Sequence, residues 1–184
     1  MKWLPIIALL VIGNLVKAQN LPYTNQTEAG ILIGEGVSPS FSAQTFNGVK
    51  IKKWKLEAGL TAGVDIYQEI TVLPLAAGIK WNPFDKEDIS PFISLNAGYG
   101  FDWLQRKVEN QEYEGGYMIN PSVGLRIKTK KAVKLNLSLG YKQQRAVIYP
   151  NQFTLFDSFA GTQNMEAKDE YKFRRLNLSF GLSF

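Results

Sequence analysis

In several segments of this sequence apolar and polar residues alternate, as they do in β-strands. The charged residues that could do chemistry lie at the polar positions of these segments and therefore on the same face of the predicted sheet. Ion pairing and acid–base catalysis are the two kinds of chemistry that such charges support. Glu57 and Asp65 lie on one predicted strand but too far apart, at about 3.3 Å per residue, to act as an acid–base pair. The residues that share the face are Lys55, Glu57, Asp65, Lys80, Arg126, Lys134 and Lys142.

Two residue types that carry much enzyme chemistry are missing, because the 184 residues include no His and no Cys. Without His there is no imidazole general base, no usual hydrolase triad and no common zinc site. Without Cys there are no disulfides, thiolate metal sites or Cys nucleophiles. The neighbouring Asp157 and Ser158 have no His to activate the hydroxyl. We therefore expect a protein that is not an enzyme and has no metal site and no cofactor.

The charge balance argues against nucleic acid as a partner. The net charge is +5, and loss of Lys2 and Lys17 with a cleaved leader leaves 19 of the 21 basic residues against 16 acidic ones. Proteins that bind nucleic acid usually gather a larger basic excess on one face. We therefore expect no nucleic-acid partner.

The strongest pattern lies in the last thirteen residues, 172–184. Apolar residues occupy every second position from Leu176 to Phe184, and Asn, Ser and Gly fill the positions between them. Strict alternation places the two sets on opposite faces of a β-strand. A purely apolar face opposite a face of small polar side chains is typical of a strand between lipid and a crowded polar interior.

The same alternation recurs along the chain and predicts eight strands of membrane-crossing length. An even number of antiparallel strands can close into a barrel without open edges, which lipid requires. The sequence thus predicts an all-β fold, an eight-stranded antiparallel up-and-down transmembrane β-barrel over 28–184. Strand 1 is the weakest, and its phase is not fixed by the pattern. The predicted strands cover about 28–36, 41–52, 54–67, 71–82, 90–104, 115–129, 132–147 and 172–184.

The N-terminus reads as an export signal. A basic start at Lys2 precedes an apolar run, and small residues at Val16 and Ala18 fit a cleavage site after Ala18. We expect residues 1–18 to be a secretory signal peptide and 19–27 to be a flexible lead-in. The run is too short to span a bilayer comfortably as an anchor.

Placing Phe184 at the periplasmic end assigns a side to each connection. The turns at 52–53, 82–88 and 128–131 are then periplasmic, and the connections at 37–40, 68–70, 105–114 and 148–171 are extracellular, with the longest outside. Aromatic residues near strand ends are typical of interfacial belts, although strands also favour aromatics in general. These residues are Trp54, Trp81, Tyr99, Phe101, Trp103, Tyr117 and Phe184.

Several stretches resemble a family of small outer-membrane β-barrel proteins, the porin family of Gram-negative bacteria. The clearest are Ser90–Phe101 and Gly116–Gly124, and 47–51, 139–144 and 176–184 add to them. Val49 departs from the pattern, which favours an aromatic residue there. The resemblance implies a barrel like the membrane domain of outer-membrane protein A, in the cell outer membrane. It also implies two partners, the lipid and the barrel-assembly machinery, with Phe180, Leu182 and Phe184 as the C-terminal assembly signal.

Two uses of the inward charges stay open. The first is a plug of ion pairs and hydrogen bonds in a lumen just wide enough for side chains, in a protein with a structural or surface-interaction role. The second is a narrow porin or conduit for small or hydrophobic solutes. A lipid-modifying barrel enzyme is a third alternative, disfavoured by the absence of His. No surface ligand is indicated by the residues.

Overall fold

The computed structural model describes residues 21–34, 37–68, 70–85, 87–103, 112–129, 133–149, 154–155, 163–164 and 169–184. The expected signal peptide and its cleavage site after Ala18 lie outside these residues, as does most of the two longest predicted loops. Within the described ranges, no helix is long and apolar enough to cross a membrane.

Eight long strands build the molecule. They are β1 (Tyr23–Gly34), β2 (Val37–Ile51), β3 (Leu56–Ile66), β4 (Thr71–Trp81), β5 (Ile89–Phe101), β6 (Gly116–Lys128), β7 (Lys134–Tyr149) and β8 (Asp169–Ser183). One turn of 3₁₀ helix, Lys52–Trp54, joins β2 to β3. Short strands also form at Glu112–Glu114, Thr154–Leu155 and Gln163–Asn164. Glu112–Glu114 pairs with the end of β7 and continues the line of β6 beyond Gly115.

Each long strand pairs antiparallel with its neighbour in sequence, and β8 pairs with both β7 and β1. The sheet is therefore closed, and this up-and-down, eight-stranded barrel is the predicted fold. Closure provides ladder partners at both sides of every strand, which an open sheet cannot do. We call the end that carries Phe184 and the 52–54 turn the proximal end, and the other the distal end.

The alternation sorts side chains between the outside and the lumen as the sequence predicts. On β7, Leu137 and Leu139 are exposed on the outer face, whereas Asn136 and Ser138 are buried inside. Small hydroxyl groups bridge neighbouring strands within the lumen, such as Ser138 to Ser179 at 2.7 Å. Large apolar side chains cover the outer face; those on the strands include Ile31, Ile79, Ile93, Leu95, Val123, Leu125, Leu178 and Phe180.

Strand β1 begins at Tyr23, so the prediction of a flexible lead-in is wrong for residues 23–27. The polar residues there are paired strand residues: Thr24 and Gln26 are buried in the lumen, and Asn25 bonds outside to Thr45 and Asn47 of β2. Polar groups on both faces hide the apolar alternation that marks the other strands. The structure also fixes the phase of β1, placing Glu28 inward and Ile31 outward.

The turn expected at 37–40 lies within β2, so that prediction is also wrong. Pro39 follows the register shift at which Gly34 pairs with Val37 and Leu32 pairs with Ser40. Irregular positions of this kind tolerate proline because one ladder hydrogen bond is already missing. Strands β7 and β8 likewise extend into the expected 148–171 connection.

Candidate functional site: a charged network in the barrel lumen

Arg126 of β6 reaches across the lumen to Glu57 of β3. Its Nη1 donates to Oε1 of Glu57 at 2.7 Å, and its Nη2 donates to Oε2 at 3.1 Å. The same guanidinium donates to Gln26 of β1 and Asn136 of β7, each at 3.0 Å. A two-point contact between guanidinium and carboxylate is among the strongest and most directional of protein hydrogen-bond arrangements. One buried side chain thereby connects four strands of the wall.

Glu57 also lies in a row of alternating charge across neighbouring strands. The register places Lys50 of β2 opposite it on one side and Lys80 of β4 on the other. The Lys50 Nζ is 3.7 Å from Glu57 Oε1. Opposite charges directly across an antiparallel pair stabilise the sheet.

A second carboxylate, Glu28 of β1, faces the same part of the lumen. It is buried and accepts hydrogen bonds from Gln26 and from Gln44, the latter at 2.9 Å. We call Glu28, Glu57, Lys80 and Arg126 the proximal cluster.

Two aromatic rings fill the space around these charges. The Lys80 Nζ lies 4.4 Å from the centroid of the Phe46 ring, and the Arg126 Cζ lies 5.6 Å from that of Phe92. Gly124 makes room for Phe92, since a Cβ there would collide with the ring. Both cations thus lie over aromatic rings, and Arg126 is also bonded to the Glu57 carboxylate.

Farther toward the distal end, Asp65 of β3 forms a second bridge across the lumen. Its Oδ2 is 2.5 Å from the Nζ of Lys142 on β7, and its Oδ1 accepts a hydrogen bond from Ser42 at 2.6 Å. Both charged side chains are completely buried. Arg175 of β8 is 5% exposed and stands directly opposite Lys142 in the register. We call Asp65, Lys142 and Arg175 the distal cluster.

An apolar cluster lies next to these charges at the distal end. Tyr67 stacks on Phe173 with ring centroids 4.2 Å apart, and Tyr171 and Tyr113 pack against the group. The buried members are Leu32, Tyr67, Ile70, Val72, Ala146 and Phe173. The interior is therefore divided into a polar, ion-paired part and an apolar distal part.

Five of the seven charges predicted to face inward are buried in these clusters: Glu57, Asp65, Lys80, Arg126 and Lys142. Lys134 lies at the proximal rim, partly exposed, and donates to Asp85 at 3.2 Å. Lys55 is an exposed turn residue with a φ of 54°, so its luminal assignment is wrong. The alternating pattern of this strand begins at Trp54, before the strand itself begins at Leu56, and the Lys55 Nζ donates to the Pro83 carbonyl at 2.7 Å.

Sequence reasoning missed Glu28, the luminal aromatics and the distal apolar cluster. Phe46 and Phe92 have the same parity as the inward polar residues of their own strands, Ser42 and Ser94. That parity is the signal that could have found them. The apolar cluster gives a misleading signal. Around Leu32 both faces of the wall are apolar, so alternation cannot separate them, and around Phe173 the exposed neighbours are the charged Lys172 and Arg174, so the usual pattern is reversed.

The outer surface carries the residues predicted to meet lipid and the assembly machinery. Phe180, Leu182 and Phe184 are all exposed on the outer face. Trp54 and Trp81 lie with Phe184 near the proximal end, whereas Tyr99, Phe101 and Trp103 form a line of ring contacts near the distal end of β5. Aliphatic side chains cover the wall between them, in the arrangement of a transmembrane barrel.

No ligand cluster for a metal is formed by the side chains that the structure describes. No protein-family model matches the sequence, and no curated protein matches it.

The fold does match solved structures. Neisserial surface protein A (NspA), a protein of Neisseria, superposes with a TM-score of 0.52 at 12% identity, covering 88% of this chain and 94% of that one. The outer-membrane protein AlkL, solved in lipid bilayers, gives a TM-score of 0.50 at 13% identity and covers 90% of each chain. The chain therefore has the fold of the small outer-membrane β-barrels.

Proposed function

We propose that this protein is an integral outer-membrane β-barrel with a structural or surface-interaction role and a lumen filled by its own side chains. The observation that carries the proposal is that the outer face of the barrel wall is apolar and its inner face is polar. The outer face exposes Leu, Ile, Val and aromatic side chains, whereas the inner face buries ion pairs and amide groups. Lipid outside and a self-satisfied polar interior are the surroundings that such a wall requires.

The same proposal assigns the sides of the membrane. The proximal end faces the periplasm and the distal end faces the cell exterior, because the two longest connections, β5 to β6 and β7 to β8, are at the distal end. Export by the N-terminal signal peptide and insertion by the assembly machinery through Phe180, Leu182 and Phe184 belong to this proposal. A non-enzymatic role is supported by the absence of His and Cys from the sequence.

Cell fractionation tests the location. The expressed protein should stay with the outer-membrane pellet through washes with alkaline carbonate and urea, because exposed apolar side chains on all eight strands cover the middle of its outer face. A protein released by carbonate, or one that is monodisperse without detergent, would contradict the proposal.

Conductance in planar bilayers tests the filled lumen. Arg126 with Glu57 and Lys142 with Asp65 both bridge the lumen, so we expect no steady open-channel current from purified wild-type protein. A large, sustained, ion-selective current would favour a narrow porin instead.

A further inference from the structure

The proximal and distal clusters differ in their balance of charge. In the proximal cluster Glu28 and Glu57 face Lys80 and Arg126, so carboxylates and cations are equal in number. Lys50, which also faces Glu57, is 23% exposed, and solvent ions can reach it. In the distal cluster Asp65 alone faces both Lys142 and Arg175. Among the described residues, the distal cluster therefore has one positive charge too many.

That surplus charge cannot be removed by losing a proton from Arg175. A guanidinium stays protonated in proteins, so its charge must be met by a counter-charge or by water. Asp65 is already engaged by Lys142 and Ser42. Like charges directly opposite each other on paired strands, as Arg175 and Lys142 are, destabilise a sheet unless something lies between them.

Some of the buried hydrogen-bond donors that have no partner lie in this same part of the lumen. Within the described part of the chain, the buried Nε and Nη1 of Arg175 and the buried hydroxyl of Tyr67 have no hydrogen-bond partner. The two residues are held by one ring: Tyr67 stacks on Phe173, and the Arg175 Cζ is 6.0 Å from the Phe173 centroid. Asp65 lies two residues before Tyr67 in the chain, and both side chains are buried.

Space at this point is kept by a glycine. A Cβ at Gly34 of β1 would collide with the Arg175 guanidinium, so this glycine leaves room for the guanidinium where it now lies. Buried donors of this strength are normally satisfied, and leaving them without an acceptor is costly.

We propose that the distal cluster binds one small monovalent anion, chloride or the carboxylate of a small solute, on the free donors of Arg175. The anion neutralises the surplus positive charge of Arg175 and Lys142 and accepts a hydrogen bond from the Tyr67 hydroxyl. One such site exists for each barrel. The apolar cluster beside it shields the anion from bulk water, which strengthens its attraction to the guanidinium.

Anion exchange at constant ionic strength tests the site. The full barrel is refolded into neutral phosphatidylcholine vesicles in sodium chloride, sodium formate or sodium gluconate, whose anion is much larger, and unfolded with urea. We expect the urea concentration at the midpoint of wild-type unfolding to be higher in chloride or formate than in gluconate. This increase should level off as the concentration of chloride or formate is raised. A midpoint that is the same in all three salts would overturn the proposal. Saturation by formate alone would identify the carboxylate as the ligand, and saturation by chloride would identify the inorganic ion.

Arg174→Gln is the matched control, because Arg174 is the exposed neighbour of Arg175 on the same strand. This variant should keep the anion dependence, Arg175→Gln should lose it, and Arg175→Lys should keep part of it. Persistence of the full dependence in Arg175→Gln would count against the site. Glu35 follows Gly34 in the sequence and lies outside the described residues. A dependence on the anion that appears only in Glu35→Gln would also count against the site, since the Glu35 carboxylate would then be the group that neutralises Arg175.

A spectroscopic measurement covers the case in which Arg175→Gln does not fold. In micelles of wild-type protein, the ¹⁵Nε signal of Arg175 should shift and saturate as chloride or formate is added, while that of Arg174 should not. A linear or identical response of the two signals would refute a bound anion.

Discussion

Glu57 is a carboxylate on which much of the proximal cluster depends. It accepts two hydrogen bonds from Arg126 and faces Lys50 and Lys80 across the sheet. Glu57→Gln would leave the buried Arg126 without its charge partner. We expect a loss of about 3–5 kcal/mol in the free energy of unfolding if the pair is dry, and less if water reaches it.

Urea unfolding in lipid vesicles measures this loss. Glu87→Gln is the matched control, since Glu87 is exposed in the turn between β4 and β5 and should change stability little. Equal stabilities of the two variants would show that Arg126 is satisfied without Glu57.

At the proximal rim, Asp85 and Lys134 form a pair whose effect depends on pH. Burial alone would raise the pKa of the Asp85 carboxyl, but the charge and hydrogen bond of Lys134 outweigh it, so the pKa falls below the ordinary 3.8. A lowered pKa stabilises the folded state above the unfolded pKa, and the benefit is lost as pH falls through the folded value.

We expect wild-type protein to exceed Asp85→Asn in stability by about 0.2–1 kcal/mol at neutral pH, a small amount because the pair is partly exposed. The difference should begin to shrink as pH falls below 3.8 and vanish only below the lower pKa of Asp85 in the folded protein. Unfolding midpoints of both proteins across this range check the prediction, and a difference that grows on acidification would contradict it.

At the scale of the strands, β7 offers a direct comparison of the two faces. Leu139 is 50% exposed on the outer face, whereas its neighbour Ser138 points inward and bonds to Ser179. Leu139→Arg should lower stability in vesicles by up to about 2–4 kcal/mol, depending on its depth in the bilayer. Ser138→Arg should act by crowding the lumen, so its cost should not change with bilayer thickness. A silent Leu139→Arg would mean that the outer face does not meet lipid.

The strands also show how far the sequence could predict the structure. Strict alternation correctly predicted which residues of β3 to β8 face outward, because in these strands one face is mostly apolar and the other carries small polar side chains. It failed at Tyr23–Thr27, where both faces are polar, and around Val72 and Phe173, where apolar residues also face inward. The ion pairs of Glu57 and Asp65 join strands that are not neighbours, and parity alone cannot choose such partners.

For the molecule as a whole, closure brings the two ends of the described chain together. The Phe184 N–H donates to the Asn25 carbonyl at 3.0 Å, and the Asn25 N–H donates back at 3.3 Å. These are backbone contacts, so Phe184→Ala should keep the barrel stable after refolding in vesicles. If the exposed ring is the assembly signal, the same variant should insert more slowly in cells.

Pulse–chase sampling of protease-resistant or heat-modifiable protein measures that insertion. Phe84→Ala, which removes another exposed ring near the proximal end, is the control and should insert normally. Equal insertion of the two variants would show that Phe184 is not read during assembly.

The last strand, β8, forms two pairings of unequal length, which we call its seams. Strand β8 pairs with β7 from Asp169 to Ser183, but with β1 only from Leu176 to Ser183. Under mechanical load, the shorter seam should part first and leave β7 and β8 joined. A single molecule pulled out of a bilayer from its C-terminus should therefore release this hairpin in one force peak, before β6.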